Sequence, residues 1–209
     1  MKGLLLKDVY QVWYYARVII LGTVIMMLVG LFSMKDGSNF FMLYGGLMLG
    51  TVPMTLLAYD QNSRFSAYSA ALPVTKGQLV GSKYVMGLCA MALSVLLTAA
   101  VMAGAQLLWG TVSVQLAAAT LLQVVLMALV GNMILLPLTY RFGYEKAKYM
   151  YYLCIGVMGG WMGVVVSSKG TVPSGILPAH CSLLVLIVVL ALYALSWRLS
   201  VAWYGKAEQ

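Results

Sequence analysis

The chain has 209 residues, 63% of them hydrophobic and 9% charged, where a typical soluble domain is about half apolar and a quarter charged. This composition excludes a soluble globular fold. No Asp, Glu, Lys or Arg occurs between Tyr84 and Tyr140, a stretch long enough for two helices of the ~20 apolar residues needed to cross a bilayer. The net charge of +8 resides in short connectors between apolar segments, so it carries no implication of nucleic-acid binding.

In chain order, residues 1–16 predict an interfacial helix. On a helical wheel Leu5, Val9, Val12, Trp13 and Ala16 share one face, with Lys7, Asp8, Gln11, Tyr14 and Tyr15 opposite. Lys7, Asp8 and Arg17 interrupt the first apolar stretch and no small-residue cleavage site follows Phe32, so a retained first span is expected rather than a signal peptide. Six apolar segments follow, at about Val18 to Met34, Phe40 to Ala58, Tyr84 to Leu108, Val114 to Leu138, Tyr149 to Val166 and Ala179 to Leu199. The expected fold is an all-α integral membrane protein of six transmembrane helices. Residues 1–209 form a single membrane domain, since six spans use roughly 120 residues and leave only short loops.

With the N-terminus in the cytoplasm, eleven of the thirteen cations fall on the cytoplasmic side and only Lys35 and Lys169 outside. Cationic short loops are retained in the cytoplasm, so both termini are expected there.

The longest connector, residues 59–83, is the most informative. Phe65, Tyr68 and Leu72 follow i, i+3, i+7 spacing, which predicts a short helix from about Asn62 to Ala71 with an aromatic ridge, ended by Pro73. Thr75 and Gln78 have the spacing of a capping box opening the helix that runs into the third span. An exposed Arg64, Phe65, Tyr68 cluster points to a protein-contact surface. The second connector on this side, residues 139–148, carries Arg141, Lys146 and Lys148, which serve orientation, and Glu145, which does not; a carboxylate there suits a cationic partner surface.

The spans lack ionisable residues near their centres, which argues against an ion-coupled carrier. Thr98, Gln106, Gln115, Gln123 and Asn132 read as helix–helix hydrogen-bonding groups, and the isolated Cys89, Cys154 and Cys181 as small core residues. No GxxxxGK[ST] loop is present and no His, Cys, Asp or Glu cluster suggests a metal or hydrolytic centre. No cofactor is expected in this chain. Gly46 with Gly50, and Gly156 with Gly160 interleaved with Gly159 and Gly163, have the small-xxx-small spacing of close helix contacts. The pairs in the fifth span are either internal packing or a subunit interface.

Two segments carry a family resemblance. Asp60, Arg64, then Ala71-Leu72-Pro73-Val74-Thr75-Lys76 and Val80-Gly81-Ser82-Lys83-Tyr84 resemble the LP-(V/I)-(S/T)-(R/K)…KY pattern of type-2 ATP-binding-cassette permeases. Pro137 followed by Tyr140-Arg141-Phe142-Gly143-Tyr144-Glu145-Lys146-Ala147-Lys148 is similar to the FG-x-EKA segment of short permeases such as the membrane subunits of the phenol-soluble modulin exporter. The resemblance implies a multi-pass permease subunit of the bacterial plasma membrane, without a nucleotide site of its own. Two such subunits, identical or sister chains, would sit on ATP-binding subunits that hold ATP and Mg. It implies that residues 1–16 form an elbow helix, and that Arg64, Phe65, Tyr68, Leu72 and Glu145 contact the ATPase. Export of an amphipathic or hydrophobic molecule, such as a small peptide, is the expected activity. Residues 169–178 are too short for the large extracellular domain of some relatives. A non-transporting immunity or sensor scaffold is the alternative.

Overall fold

Leu4, Asp8, Ala16, Thr23, Met27 and Gly30 form the buried stripe of the first helical segment. From Leu4 to Ala16 this stripe advances four residues per turn, faster than the 3.6 of an α-helix. A five-residue π-helical turn at Val12–Ala16 takes up the surplus between α1 (Lys2–Gln11) and α2 (Arg17–Ser33). In this computed structural model, which describes residues 2–33, 40–63, 65, 75–110, 112–153, 156 and 179–207, the described elements are otherwise α-helical. They continue as α3 (Phe40–Gly50), α4 (Val52–Asn62), α5 (Lys76–Trp109), α6 (Val114–Phe142), α7 (residues 144–153) and α8 (Ala179–Ala207).

Five helices among the described residues are long and apolar enough to cross a membrane: Gly3–Phe32, Phe41–Asn62, Lys76–Trp109, Val114–Phe142 and Ile187–Tyr204. Most of the expected fifth span, Tyr149 to Val166, lies outside the described residues. The spans extend beyond their apolar cores. At ~1.5 Å per residue, α5 places Lys83 about 39 Å from Trp109, more than the ~30 Å hydrocarbon thickness of a bilayer. Helix α4 likewise runs through Asp60 to Asn62, so Asp60 and Lys83 are helical residues at one end of the bundle and not members of a loop.

The second span is two eleven-residue helices meeting at Thr51. Pro53, in the first turn of α4, has no amide to continue the ladder, and the Thr51 hydroxyl donates to the Met48 carbonyl at 2.7 Å. Helix α4 is buried nearly all round, with Val52, Pro53, Met54, Leu56, Leu57, Ala58 and Asp60 enclosed. Gly46 and Gly50 let α3 lie against the backbone of α6. A Cβ on Gly46 would stand 3.1 Å from the Val124 carbonyl oxygen, and one on Gly50 3.4 Å from Ala128 Cα. Close packing within the chain accounts for that glycine pair.

Leu57, Val80, Tyr84, Leu129, Leu136, Tyr140, Val189 and Tyr193 form the main core, joining α4, α5, α6 and α8. A polar seam runs beside it. Pro137 interrupts α6 and cannot donate to the carbonyl of Met133, four residues back. The Ser196 hydroxyl of α8 donates to that carbonyl at 2.8 Å. With its proton committed there, Ser196 accepts from the Tyr84 hydroxyl at 2.8 Å, and Ser200 meets the same hydroxyl at 2.8 Å. Tyr193 donates to the Tyr84 carbonyl at 2.9 Å.

Among the described residues these serines and tyrosines make the interhelical hydrogen bonds, and the residues expected in that role do not. Thr98 bonds the carbonyl of Ser94 within its own helix, and Gln106 accepts from the Val112 amide across a turn. Gln115 and Gln123 are exposed, and Asn132, 1% exposed, has no hydrogen-bond partner for either side-chain atom among the described residues. Long amides on helices need a facing partner at the right height, which periodicity alone does not reveal. Cys89 is also not a core residue: it is exposed and lines an apolar groove of about 100 Å³ with Val12, Leu49 and Met86. Cys154 falls outside the described residues.

Loss of the Ser196 hydroxyl should leave the Met133 carbonyl unpaired and lower stability by about 1–3 kcal/mol. Pro137→Ala restores the missing amide, so Ser196→Ala should cost clearly less in that background. Equal costs in an unfolding double-mutant cycle would refute the pairing.

Candidate functional site

The charged end of the bundle gathers the termini of α4, α5 and α6 beneath α1. Asp8 and Lys83 are each 1% exposed and Asp60 7%. Lys83 Nζ lies 2.6 Å from Asp8 Oδ1 and 2.6 Å from Asp60 Oδ2. Lys7 Nζ lies 2.7 Å from Asp60 Oδ1 and 3.5 Å from Asp8 Oδ1, and Gln11 Nε2 donates to Asp60 Oδ1 at 3.0 Å. Two cations and two anions thus form a neutral quartet in which each cation faces both carboxylates. Neutrality is what makes the burial tolerable, since an unpaired charge withdrawn from water costs several kcal/mol even after relaxation.

The quartet draws the charged groups of α1 inwards, and the expected two-faced pattern is kept only in part: Ala16 of the apolar face is buried with Val12 packed beside it, and Tyr14 of the polar face is exposed. Lys7, Asp8 and Gln11 face the bundle, while Val9 is 52% and Trp13 78% exposed. A wheel read against water places charges outward. Beside a membrane the outward face meets lipid, and ionisable groups turn towards partners inside the bundle. Helix α1 also continues without a break through the π-turn into α2.

Three consecutive residues at the end of α4 each engage a different neighbour. The Tyr59 ring stacks on Tyr15 with centroids 4.0 Å apart and planes at 23°. Asp60 joins the quartet, and Gln61 Oε1 accepts from the Tyr144 amide at 3.2 Å. The last link ties α4 to the second connector, which is shorter than its sequence suggests. Helix α6 runs to Phe142, Gly143 turns at φ +81°, and helix resumes at residue 144. A side chain is strained in that left-handed conformation, so glycine fits the position.

Of the predicted contact residues, Phe65 is half-buried, with Lys7 Nζ 3.5 Å from its ring centroid. Glu145 is exposed on the first turn of α7. Arg141 reaches towards the Trp203 ring of α8, 5.0 Å from its centroid. Arg64, Tyr68 and Leu72 lie outside the described residues, as do Gly159, Gly160 and Gly163. A Cβ on Gly156 would meet nothing within 4 Å. At the start of α5 the capping box forms as its spacing predicts: Thr75 Oγ1 accepts from the Gln78 amide and Gln78 Oε1 from the Thr75 amide, each at 3.3 Å. Lys7, Asp8, Gln11 and Lys83 were missed as a site. The available signal was two acids and two lysines on segments predicted to lie at one membrane face.

No group of three His, Cys, Asp or Glu side chains capable of holding a metal occurs among the described residues. This end of the molecule is built from ion pairs, stacked rings and helix junctions. A family model described as ABC-2 family transporter protein matches residues 3–205, nearly the whole chain. The chain belongs to the ABC-2 transporter family. Searches of curated proteins and of solved structures find no match. The permease is accordingly a multi-pass membrane protein, the membrane component of an ATP-binding-cassette transporter that associates with an ATPase subunit.

Asp8→Asn should destabilise the permease by up to about 3–5 kcal/mol, because it strips a buried cation of one partner. Asp8→Leu combined with Lys83→Met removes a whole pair, leaves Lys7 with Asp60, and should recover most of that loss in a thermal-unfolding series in detergent. A double variant no more stable than Asp8→Asn would contradict the neutral-quartet account.

Proposed function

We propose that this permease forms part of an exporter that moves an amphipathic or hydrophobic molecule, such as a small peptide, outward across a bacterial plasma membrane. It would resemble the membrane subunits of the phenol-soluble modulin exporter. The observation that carries this reading is the construction of the charged end. The connector between α4 and α5 springs from a helix end held on three sides by Tyr15, the quartet and Tyr144. In this reading a displacement of the α4 end would be passed to α1, α5 and α7 through those contacts.

In this proposal both termini and both charged connectors face the cytoplasm, and α1 serves as the elbow helix at the interface. Residues Arg64, Phe65, Tyr68 and Leu72 dock on the ATPase, with Glu145 contributing from α7. ATP and Mg are held by that partner, and its hydrolysis shifts a pair of permeases between inward-open and outward-open or occluded states. The pair is either two copies of this chain or this chain with a sister permease, meeting along Gly156, Gly159, Gly160 and Gly163.

The docking assignment is tested by Arg64→Glu combined with Tyr68→Ala, which should reduce ATPase co-purification about tenfold or more, the range of an interface anchor. Undiminished capture would remove these residues from the docking surface. Gly160→Leu should weaken permease–permease association in a crosslinking or mass-photometry assay, and normal assembly would move the subunit interface elsewhere.

A further inference from the structure

Cys89 lies in an apolar groove of about 100 Å³ on the outer surface of the bundle, beside the π-helical turn. The first helical segment contributes Val12 and Ile20, α5 contributes Cys89 and Leu93, and the buried Leu49 and Val52 of the second span lie beneath them. Small side chains leave this space. Ala16 and Ala90 are both enclosed where α5 meets the first helical segment, packed with Leu49 and Val52, and a methyl group fills little of the gap between the larger residues around it. Along α5, Cys89 and Leu93 lie about 9 and 15 Å beyond Lys83, so the groove sits at acyl-chain depth beneath the charged end. Hydrocarbon gives no hydrophobic drive for filling it there, and what selects an occupant is close van der Waals packing.

A cation stands beside the groove. Arg17 follows the π-helical turn directly and precedes Ile20 by three residues, so it flanks the same helix face. It is exposed and pairs with no carboxylate among the described residues. Its guanidinium lies 5.7 Å from the centroid of the Tyr14 ring, three residues back. The side chain therefore runs towards the charged end, as a long cationic side chain does at a membrane face. Trp13, Tyr14 and Tyr15 are exposed on the turn before it, the amphipathic ring types that sit at headgroup level. We propose that the groove holds one acyl chain of an anionic phospholipid whose phosphate is bound by Arg17. The guanidinium fork matches phosphate oxygens, and the apolar walls below it match the chain. A symmetric pair of protein chains meeting at this groove would bring two Arg17 cations to one interface with no anion between them. A phospholipid supplies the anion and the apolar chain together. The site is a property of the isolated permease and depends on neither a cargo nor an ATPase.

Cys89 serves as the reporter. In a Cys154→Ser, Cys181→Ser protein in detergent, alkylation of Cys89 by N-ethylmaleimide is followed by intact mass during addition of dioleoylphosphatidylglycerol, dioleoylphosphatidylcholine or glycerol 3-phosphate. The phosphatidylglycerol should slow alkylation at concentrations about fivefold lower than the phosphatidylcholine, the preference one cation gives for an anionic lipid. Glycerol 3-phosphate should leave the rate unchanged. Arg17→Gln should abolish the difference between the two lipids and keep the protection common to both. Equal protection by the two lipids with Arg17 present, or a difference that survives Arg17→Gln, would overturn the proposal. Protection by glycerol 3-phosphate would assign Arg17 to a free phosphate, and protection that rises with protein concentration in the absence of added lipid would assign the groove to a second copy; either result overturns it too. Cys89→Phe, a change on the exposed rim that fills the groove, should lower the phosphatidylglycerol retained in native mass spectra several-fold. Undiminished retention would remove the acyl chain from the groove.

Discussion

Charges buried at the edge of a bilayer must cancel, and the architecture at the charged end follows from that condition. Lys83 could not be enclosed at 1% exposure without Asp8 and Asp60, and those two acids together require a second cation, which Lys7 supplies. Meeting the condition brings α1, α4 and α5 to one point. It also dictates which way α1 faces, and so leaves Trp13, Tyr14 and Val9 exposed. A buried ion pair contributes little net stability over a well-packed apolar pair, and its best-attested use is to fix register. Here the register concerns a surface helix and the two ends of the longest connector.

The polar seam deeper in the bundle obeys the same logic for backbone groups. In hydrocarbon an unpaired carbonyl has no water to turn to. Pro137 creates one at Met133, and Ser196 from α8 closes it. The correction for a helix irregularity becomes an interhelical contact, extended through Tyr84, Ser200 and Tyr193 to α5. Charge pairing joins α1, α4 and α5 at one end, carbonyl pairing joins α5, α6 and α8 within, and α5 takes part in both.

The elements were legible to different degrees for identifiable reasons. The capping box at Thr75 and Gln78 is local: three residues of spacing determine two hydrogen bonds, and both form. The close approach at Gly46 and Gly50 was likewise carried by spacing, although its partners, Val124 and Ala128, were not. Among the described residues Gln106, Gln115, Gln123 and Asn132 make no interhelical hydrogen bond, because a polar residue on a helix does not say what stands opposite. Asn132 remains without a partner among the described residues while two serines of α8 make the cross-links. In the candidate site, Phe65 and Glu145 could be named from the loop sequence, but the engagement of Phe65 by Lys7 joins residues far apart in the chain.

The sequence by itself determined the membrane class, the helical content, the apolar segments and the clustering of cations between them, because hydropathy and helix period are read along the chain. It also carried the family, through short motifs at the two charged connectors. Only the tertiary structure decided that Lys7, Asp8, Asp60 and Lys83 are one neutral unit, that α1 turns its charges inward, and that Ser196 serves the carbonyl freed by Pro137. The physical reason is common to all three. Pairing energy depends on distances between helices, whereas periodicity specifies only which residues share a face.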